Sequence, residues 1–123
     1  MGKLDRDAEF VVLVEKIRRD VEARCGCPVY SRLLQSLGYS LYKSQGSPQY
    51  VFASIYRRVE DNKLCEIQSA EKWAKHGGVN GLADHSNDKG WHDEPAVYWY
   101  IIEGDVESYH RAIRALSIIC QVR

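Results

Sequence analysis

The sequence of 123 residues has no long apolar run and no excess of one charge, and each absence excludes a class of protein. No segment approaches the roughly 20 consecutive apolar residues that a transmembrane helix needs. Lys plus Arg and Asp plus Glu both total 17, whereas binding a phosphate backbone mainly by charge requires a basic excess. We therefore predict no membrane contact, and a nucleic-acid partner is disfavoured.

Known catalytic motifs and signs of modular construction are missing as well. The chain contains neither the Gly-x-Ser-x-Gly elbow of α/β hydrolases nor the signature segment of an RNA-recognition motif. It also contains no internal repeat, low-complexity tract or linker. Hydrophobic residues make up 45% and charged residues 28%, as is typical of globular domains. These features predict one domain over residues 1–123, and the missing catalytic set favours a protein that is not an enzyme.

The cysteines are few: Cys25, Cys27, Cys65 and Cys120. No apolar segment that could act as a secretory signal lies near the N-terminus, so we expect reduced thiols and a cytoplasmic protein. The spacing of Cys25 and Cys27 is neither that of a thioredoxin-like pair nor that of a zinc knuckle. We interpret the cysteines as small apolar core residues, with a four-cysteine zinc site as the alternative.

Amphipathic helices are predicted at both ends of the chain. Over residues 5–25, apolar side chains recur at helical spacing, and Gly26 and Pro28 end the pattern. A final helix begins after Gly104-Asp105, where Asp105 can cap it, and carries a similar apolar stripe. Residues expected on the outer face of this final helix are His110, Arg111, Arg114 and Ser117.

The middle of the chain is rich in aromatic and β-branched residues and is predicted to form a sheet. A short helix over 28–37, with Gly38 as its exit, is expected to precede the sheet. An alternative helix that starts at Ser47-Pro48 competes with the second strand. The strands are predicted over residues 39–44, 50–58, 63–68 and 96–103, and the last of them is expected to be central.

After the third strand, Ser69 is predicted to cap a short helix over 70–76, which Gly77-Gly78 would end. Residues 77–95 then form one long segment rich in Gly, Asn and Asp, which we predict to be an irregular loop. Irregular loops of this length are uncommon in compact domains and often carry function. The segment is therefore the predicted location of a site.

Histidines concentrate in and beside this loop, at His76, His85 and His92. Two imidazoles and a carboxylate could hold a divalent metal, but the spacing matches no established metal motif. A base with an orienting acid is a second option, with the amides of Gly77-Gly78 as an oxyanion hole, but no nucleophile accompanies them. Polar residues that serve turns are the simpler interpretation. The carboxylates concerned are Asp84, Asp88, Asp93 and Glu94.

Aromatic side chains offer a second candidate surface. Rings on one sheet face, beside basic residues, could stack nucleic-acid bases or form a protein interface, although packing under helices is the commoner role. Trp73 and Trp91 flank the loop and could anchor a partner, or fill a satellite core beneath it. The rings predicted to lie on strands are Tyr39, Tyr42, Tyr50, Phe52, Tyr56, Tyr98 and Tyr100.

The predicted fold class is α+β: a small single-domain sheet of about four strands, covered by N-terminal and C-terminal amphipathic helices. The predicted function is that of a non-enzymatic binding or accessory protein, which contacts a protein partner or a second copy of itself through an aromatic and loop surface. The alternative is a small-molecule or metal-binding domain, or a minor enzyme, with a pocket under residues 77–95. No catalytic residue, metal ligand or cofactor is assigned. The predicted binding residues are Trp73, His76, His85, Trp91, His92, Tyr98 and Tyr100.

Overall fold

Helices and strands form an α+β arrangement in the computed structural model, which describes residues 3–34, 38–43, 50–58 and 62–122. Those ranges contain three helices and six strands, so the α+β class is confirmed and the expectation of about four strands is wrong. Within the same ranges, no helix is both long enough and apolar enough to cross a membrane. In chain order the elements are α1 (Lys3–Cys25), β1 (Tyr30–Leu33), β2 (Gly38–Tyr42), β3 (Val51–Arg57), β4 (Lys63–Ala70), α2 (Glu71–His76), β5 (His85–Trp91), β6 (Glu94–Ile102) and α3 (Val106–Val122).

All six strands form one antiparallel sheet in the order β1-β2-β3-β4-β6-β5. The chain leaves β4 through α2 and a 3₁₀ turn at Asn80–Leu82, forms the edge strand β5, and returns between β4 and β5 as β6. The last predicted strand, β6, is therefore paired on both sides, but it lies next to the edge strand β5 and not at the centre of the sheet as predicted. The two edges of the sheet are β1 and β5.

The strand register assigns side chains to two faces of the sheet. Ile55 is paired with Ile67, and Ile67 with Trp99, and all three are fully buried. Because side chains alternate between faces along a strand, the neighbouring row lies on the opposite face. We call that opposite side the open face. Its central row runs Ser40, Ser54, Gln68, Tyr98, His85 across five strands.

The two long helices cover the first face, as their apolar stripes predict. Val14, Ile17 and Val21 of α1 are buried in the same core cluster as Leu116 and Ile119 of α3. Each fully buried aliphatic side chain of this kind contributes about 1.5–3 kcal/mol relative to an exposed one. The two amphipathic helices predicted at the ends of the chain are therefore confirmed.

Ser117 departs from this pattern. It was expected on the outer face of α3, but it is only 4% exposed. Its hydroxyl donates a hydrogen bond of 2.7 Å to the carbonyl oxygen of Ile113 on the preceding turn. A serine inside a helix can be buried in this way because the free carbonyl lone pair satisfies its hydroxyl.

The helix predicted over 28–37 is wrong. Gly26 has a φ of 75° and ends α1, and the chain then runs into β1, whose Tyr30 is paired with Tyr42 of β2. A helix of about ten residues is marginal alone, whereas pairing with β2 gives this segment both hydrogen bonds and a ring contact. Gly38 begins β2 rather than ending a helix, and residues 35–37 lie outside the described ranges.

The competing helix from Ser47-Pro48 is also wrong where it can be checked. Val51–Arg57 is a strand between β2 and β4, and Ser47-Pro48 itself lies outside the described residues. The predicted strands over 50–58, 63–68 and 96–103 agree with β3, β4 and β6 to within two residues at each end. For the first predicted strand, residues 39–43 are described, and β2 covers Gly38–Tyr42.

The irregular loop predicted over 77–95 is the largest error. The segment contains the 3₁₀ turn and all of β5, and a two-residue turn at His92-Asp93 connects β5 to β6. Both turn residues have positive φ, 49° and 67°, which a type I′ hairpin turn requires. Such turns usually contain Asn-Gly or Asp-Gly, so His-Asp does not indicate one.

The short helix before this segment is confirmed as α2, but its predicted cap is not. Ser69 donates its hydroxyl hydrogen bond, 2.6 Å long, to the carbonyl oxygen of Phe52 on β3. The residue before α2 is Ala70, which provides no side-chain cap. At the other end, Gly78 has a φ of 72°, so the two glycines end the helix, as predicted.

Candidate functional site

Trp73 and Trp91 touch each other in the structure. Their ring centroids are 5.6 Å apart at an interplanar angle of 74°, and Trp91 is only 6% exposed. The two indoles pack on Ala70, Ala96 and Tyr98 in a small second core on the open face. Of the two interpretations given to this pair, a satellite core under the segment is the one that the packing supports.

Tyr98 and His85 form a stacked pair at the edge of that second core. Their ring centroids are 4.8 Å apart, and the planes are inclined by 27°. Tyr98 is 7% exposed, and burial, followed by the nearby charge of Glu66, raises the pKa of its phenol. His85 remains exposed on β5, so this pair presents an imidazole to solvent and keeps the phenol beneath it.

Tyr100 lies in a second row of the open face, beside Glu66 and Tyr56. The Nζ of Lys63 lies 4.4 Å from the centre of the Tyr100 ring, within the range of a cation–π contact. Glu66 accepts a hydrogen bond of 3.0 Å from Arg58. The register and these contacts place Tyr56 and Tyr100, both half-buried, around the carboxylate of Glu66. The cations of Arg58 and Lys63 lie beside them, and Arg58 forms an ion pair with Glu66.

The other end of the open face carries a third aromatic pair. Tyr30 and Tyr42 stack with centroids 5.5 Å apart, and the guanidinium carbon of Arg32 lies 6.0 Å from the Tyr42 ring. Strand alternation therefore gathers tyrosines from four strands on the side away from α1 and α3. We call this set the tyrosine face: Tyr30, Tyr42, Tyr56, Tyr98 and Tyr100.

Two of the rings predicted to share that surface point into the main core instead. Tyr39 packs against Phe10 of α1 with centroids 5.9 Å apart, and Phe52 is fully buried in the same cluster. Tyr39 is paired with Ile55, which places it on the helix-covered face. Phe52 is the extra residue at a register shift opposite Leu41 and Tyr42 of β2, so simple alternation does not predict where it points.

The histidines and carboxylates that were predicted to form a site lie in different places and contact different residues. Asp84 accepts hydrogen bonds from the Arg111 guanidinium, at 2.9 Å, and from the Tyr100 amide, at 2.8 Å, which ties the start of β5 to β6 and α3. His92 lies edge-on to Trp91, and His76 is exposed at the end of α2. Among the described residues, these side chains do not come together as a group of metal ligands.

Three of the four cysteines do come together, which the sequence analysis did not predict. The sulfurs of Cys25, Cys27 and Cys120 lie 3.2, 3.4 and 3.8 Å from one another, and no disulfide joins them. Cys65 is a separate, fully buried residue of β4. The sequence did contain a signal for this cluster. Cys25 and Cys27 form a C-x-C at the end of one predicted helix, and Cys120 lies on the apolar face of the other.

A cleft of about 340 Å³ lies away from the predicted segment, between α1 and the adjoining ends of β3 and β4. Its wall combines apolar side chains of α1 and β4 with charged groups of both signs. The segment over 77–95 contains the 3₁₀ turn and β5, and it contributes no residue to the lining of this cleft. Residues that line the cleft include Phe10, Leu13, Arg57, Lys63, Leu64 and Glu103.

Known proteins provide no further information about this site. Comparison of the chain with protein-family models, with curated proteins and with solved structures finds no match.

Proposed function

We propose that this chain is a non-enzymatic binding protein that holds a protein partner against its tyrosine face. The observation that carries the proposal is the strand register, which turns Tyr30, Tyr42, Tyr56, Tyr98 and Tyr100 to the side of the sheet opposite α1 and α3. Tyrosine and arginine are enriched among the residues that dominate binding energy at protein interfaces.

The rings of this face are ordered before a partner arrives. Tyr30 stacks on Tyr42, Tyr98 stacks on His85, and Lys63 lies over Tyr100. Tyr42 and Tyr98 are only 8% and 7% exposed, so the contact area comes from the half-buried rings of the face. A preordered tyrosine loses little side-chain entropy on binding, because it has two rotatable χ angles. Because the rings are held in place by their neighbours, the face is suited to be a rigid docking surface and not a flexible one.

The charges at the tyrosine face indicate the chemistry of the partner. Arg32, Arg58 and Lys63 contact its rings, while Glu66 is paired with Arg58. Cationic side chains beside aromatic rings favour a protein surface that offers acidic side chains and carbonyl oxygens. The balanced net charge of the whole chain still disfavours a phosphate backbone as the partner.

Two further observations support a binding role and a reducing compartment. The residues considered for catalysis make structural contacts: Asp84 with Arg111, His85 with Tyr98, and His92 with Trp91. All four cysteines are free thiols, which fits a cytoplasmic protein because disulfides form mainly in oxidising compartments.

The proposal is tested by replacing two half-buried rings of the tyrosine face. Tyr56→Ala combined with Tyr100→Ala removes two rings of the same row, one on β3 and one on β6, without touching the main core. Arg114→Glu, an exposed position on the opposite side of the molecule, is the matched control. A photo-activatable cross-linking residue placed at position 56 or 114 in the cells of origin then shows which side the partner touches.

We expect one protein to be cross-linked from position 56 and not from position 114. The same protein should bind wild type and Arg114→Glu equally, and the double tyrosine variant at least about 10-fold more weakly, the result of losing roughly 1.4 kcal/mol. Equal binding by all three proteins would contradict the proposal, as would a salt-dependent complex with single-stranded nucleic acid as the main activity.

The cleft beside α1 supports a second candidate function, the binding of a small molecule. Its volume of about 340 Å³ is near the lower end of the range for ligand sites, and its wall combines the charges of Arg57 and Lys63 with apolar side chains. Leu13→Trp should fill the cleft. If a compound raises the unfolding temperature of wild type but not of Leu13→Trp, the result supports small-molecule binding in this cleft over the binding of a protein partner.

A further inference from the structure

The thiol cluster is built from two helix ends that are far apart in the chain. Cys25 is the last residue of α1, Cys27 follows it in the turn to β1, and Cys120 lies in the last turn of α3. Their sulfurs are 3.2 to 3.8 Å apart. A zinc ion bonded to two thiolates at about 2.3 Å in tetrahedral geometry holds the sulfurs roughly 3.8 Å apart. The cluster therefore has the size of a three-sulfur metal site and needs to expand only slightly.

Neighbouring side chains fix the turn that carries Cys27. The carboxylate of Glu22 accepts a hydrogen bond of 3.0 Å from the amide of Val29, and Arg18 donates one of 2.7 Å to the carbonyl oxygen of Val29. The positive φ of Gly26 lets the chain reverse directly after Cys25. Both contacts come from α1 and hold Val29, so the protein itself positions the end of the turn that carries Cys27.

The electrostatics of the cluster favour a cation over free thiolates. The C-terminal ends of helices carry partial negative charge, and both α1 and α3 end here. A metal ion bound by the three sulfurs would add positive charge at this point, where the two helix ends already favour a cation.

We propose that Cys25, Cys27 and Cys120 bind one thiophilic metal ion, Cu(I) or Zn²⁺, through their three sulfurs. Soft thiolate ligands select these ions over Mg²⁺, Ca²⁺ or Mn²⁺. Within the described ranges, no histidine or carboxylate joins the three sulfurs as a ligand group. Three sulfurs suffice for trigonal Cu(I), whereas Zn²⁺ takes a fourth ligand from solution at the half-buried side formed by Cys25 and Cys27.

The test uses the full chain, reduced and freed of metal. Zn²⁺ and Cu(I) are added in separate titrations against a competing chelator, and bound metal is measured after desalting, together with the sulfur-to-metal absorption band. Cys27→Ala and Cys120→Ala remove one ligand each. Cys65→Ala is the matched control, because Cys65 is fully buried but lies outside the cluster.

We expect wild type and Cys65→Ala to bind one ion per chain and to unfold at a higher temperature when loaded. Each ligand variant should bind at least about 10-fold more weakly, since even supporting residues around a metal contribute that much. If Cys120→Ala does not fold, Cys25→Ala joins Cys27→Ala as the second ligand variant, because both positions are only half-buried. The titration with the higher affinity identifies which of the two ions the site prefers.

Two outcomes would overturn the proposal. One is a reduced wild-type chain that binds neither ion more tightly than the Cys27→Ala variant. The other is a native protein isolated with a disulfide between two of the three cysteines that takes up no metal after reduction. Neither outcome bears on the tyrosine face, so the two proposals fail independently.

Discussion

Tyr109 of α3 donates a hydrogen bond of 2.5 Å from its hydroxyl to the carboxylate of Asp20 on α1. The Nζ of Lys16 lies 4.4 Å from the centre of the same ring, so α1 provides both a carboxylate and a cation to one tyrosine. Tyr109 is 8% exposed, and its ring is part of the main core. Polar contacts at one tyrosine thus join the two covering helices beside their shared apolar core.

Tyr109→Phe removes the hydroxyl and keeps the ring. The carboxylate of Asp20 then loses a buried donor, which should lower the free energy of unfolding by about 1–3 kcal/mol. Urea unfolding followed by circular dichroism measures the change, and an unchanged m-value shows that the folded state stays compact. A stability equal to wild type would mean that the short contact contributes nothing.

The same tyrosine predicts a loss of stability at alkaline pH. Burial, and then the hydrogen bond to Asp20, raises the pKa of Tyr109 above the ordinary value of about 10. Because the folded pKa is raised, its contribution is fully present below about pH 10 and is lost as the pH rises further. The slope approaches about 1.4 kcal/mol per pH unit for one proton.

Unfolding free energies measured between pH 8 and 11, a range set by the ordinary tyrosine pKa of about 10, check this prediction. Wild type should lose stability more steeply than Tyr109→Phe above pH 10. Tyr98, whose pKa is also raised, accounts for part of the slope that remains, so Tyr98→Phe should flatten it further. Parallel curves for all three proteins would show that neither phenol is linked to folding.

Much of the helix-covered half of the molecule follows from periodicity in the sequence. Val14, Ile17 and Val21 are three or four positions apart and all face the core, since an α-helix repeats about every 3.6 residues. Trp99 and Ile101 are both buried because the strand has a period of two and α3 covers that face. These patterns are local, and they therefore predict local structure correctly.

The errors occur where pairing between distant segments decides the structure. Tyr30 lies in a strand because Tyr42 is beside it, not because of the residues adjacent to it in sequence. His92-Asp93 forms a tight turn because β5 pairs with β6, which offsets the strain of two residues at positive φ. Neither pairing is visible in a window of ten residues.

The candidate sites likewise combine features that are local in the sequence with features that depend on contacts between distant segments. Tyr98 and Tyr100 could be assigned to a strand, but the register that sets Tyr30 and Tyr42 on the same face is a property of the whole sheet. Cys25 and Cys120 are 95 residues apart, and only the packing of α1 against α3 brings their sulfurs to 3.4 Å. The spacing of cysteines along the chain does not contain that information.

Replacing Trp91 tests whether this side chain is part of the second core or a contact for a binding partner. Trp91→Ala empties the space over Ala70, Ala96 and Tyr98 and should cost about 3–5 kcal/mol of stability. The matched control is Asp88→Ala on the same strand, where the side chain is exposed and the change should stay within about 0.5 kcal/mol. If Trp91→Ala is as stable as its control and loses a partner instead, Trp91 is an exposed anchor and the satellite core is wrong.

Gly90 tests how the irregular part of β5 packs against Tyr98 and Ala96 of β6. A Cβ at this position would fall 2.0 Å from the Tyr98 hydroxyl and 2.8 Å from the Cβ of Ala96. Gly90→Ala therefore forces the strand or the ring to move, and overpacking of this kind costs about 1–3 kcal/mol. Gly81→Ala is the control, because nothing lies within 4 Å of its Cβ.

Tyr98→Phe should rescue part of the loss in Gly90→Ala, since the hydroxyl oxygen is the closest of the obstructing atoms. Urea unfolding of the single and double variants forms a double-mutant cycle, and residues in contact show coupling of about 0.5–3 kcal/mol. Rescue is incomplete because Ala96 still obstructs the new methyl group. Additive effects of the two substitutions would show that Gly90 does not lie against the Tyr98 hydroxyl.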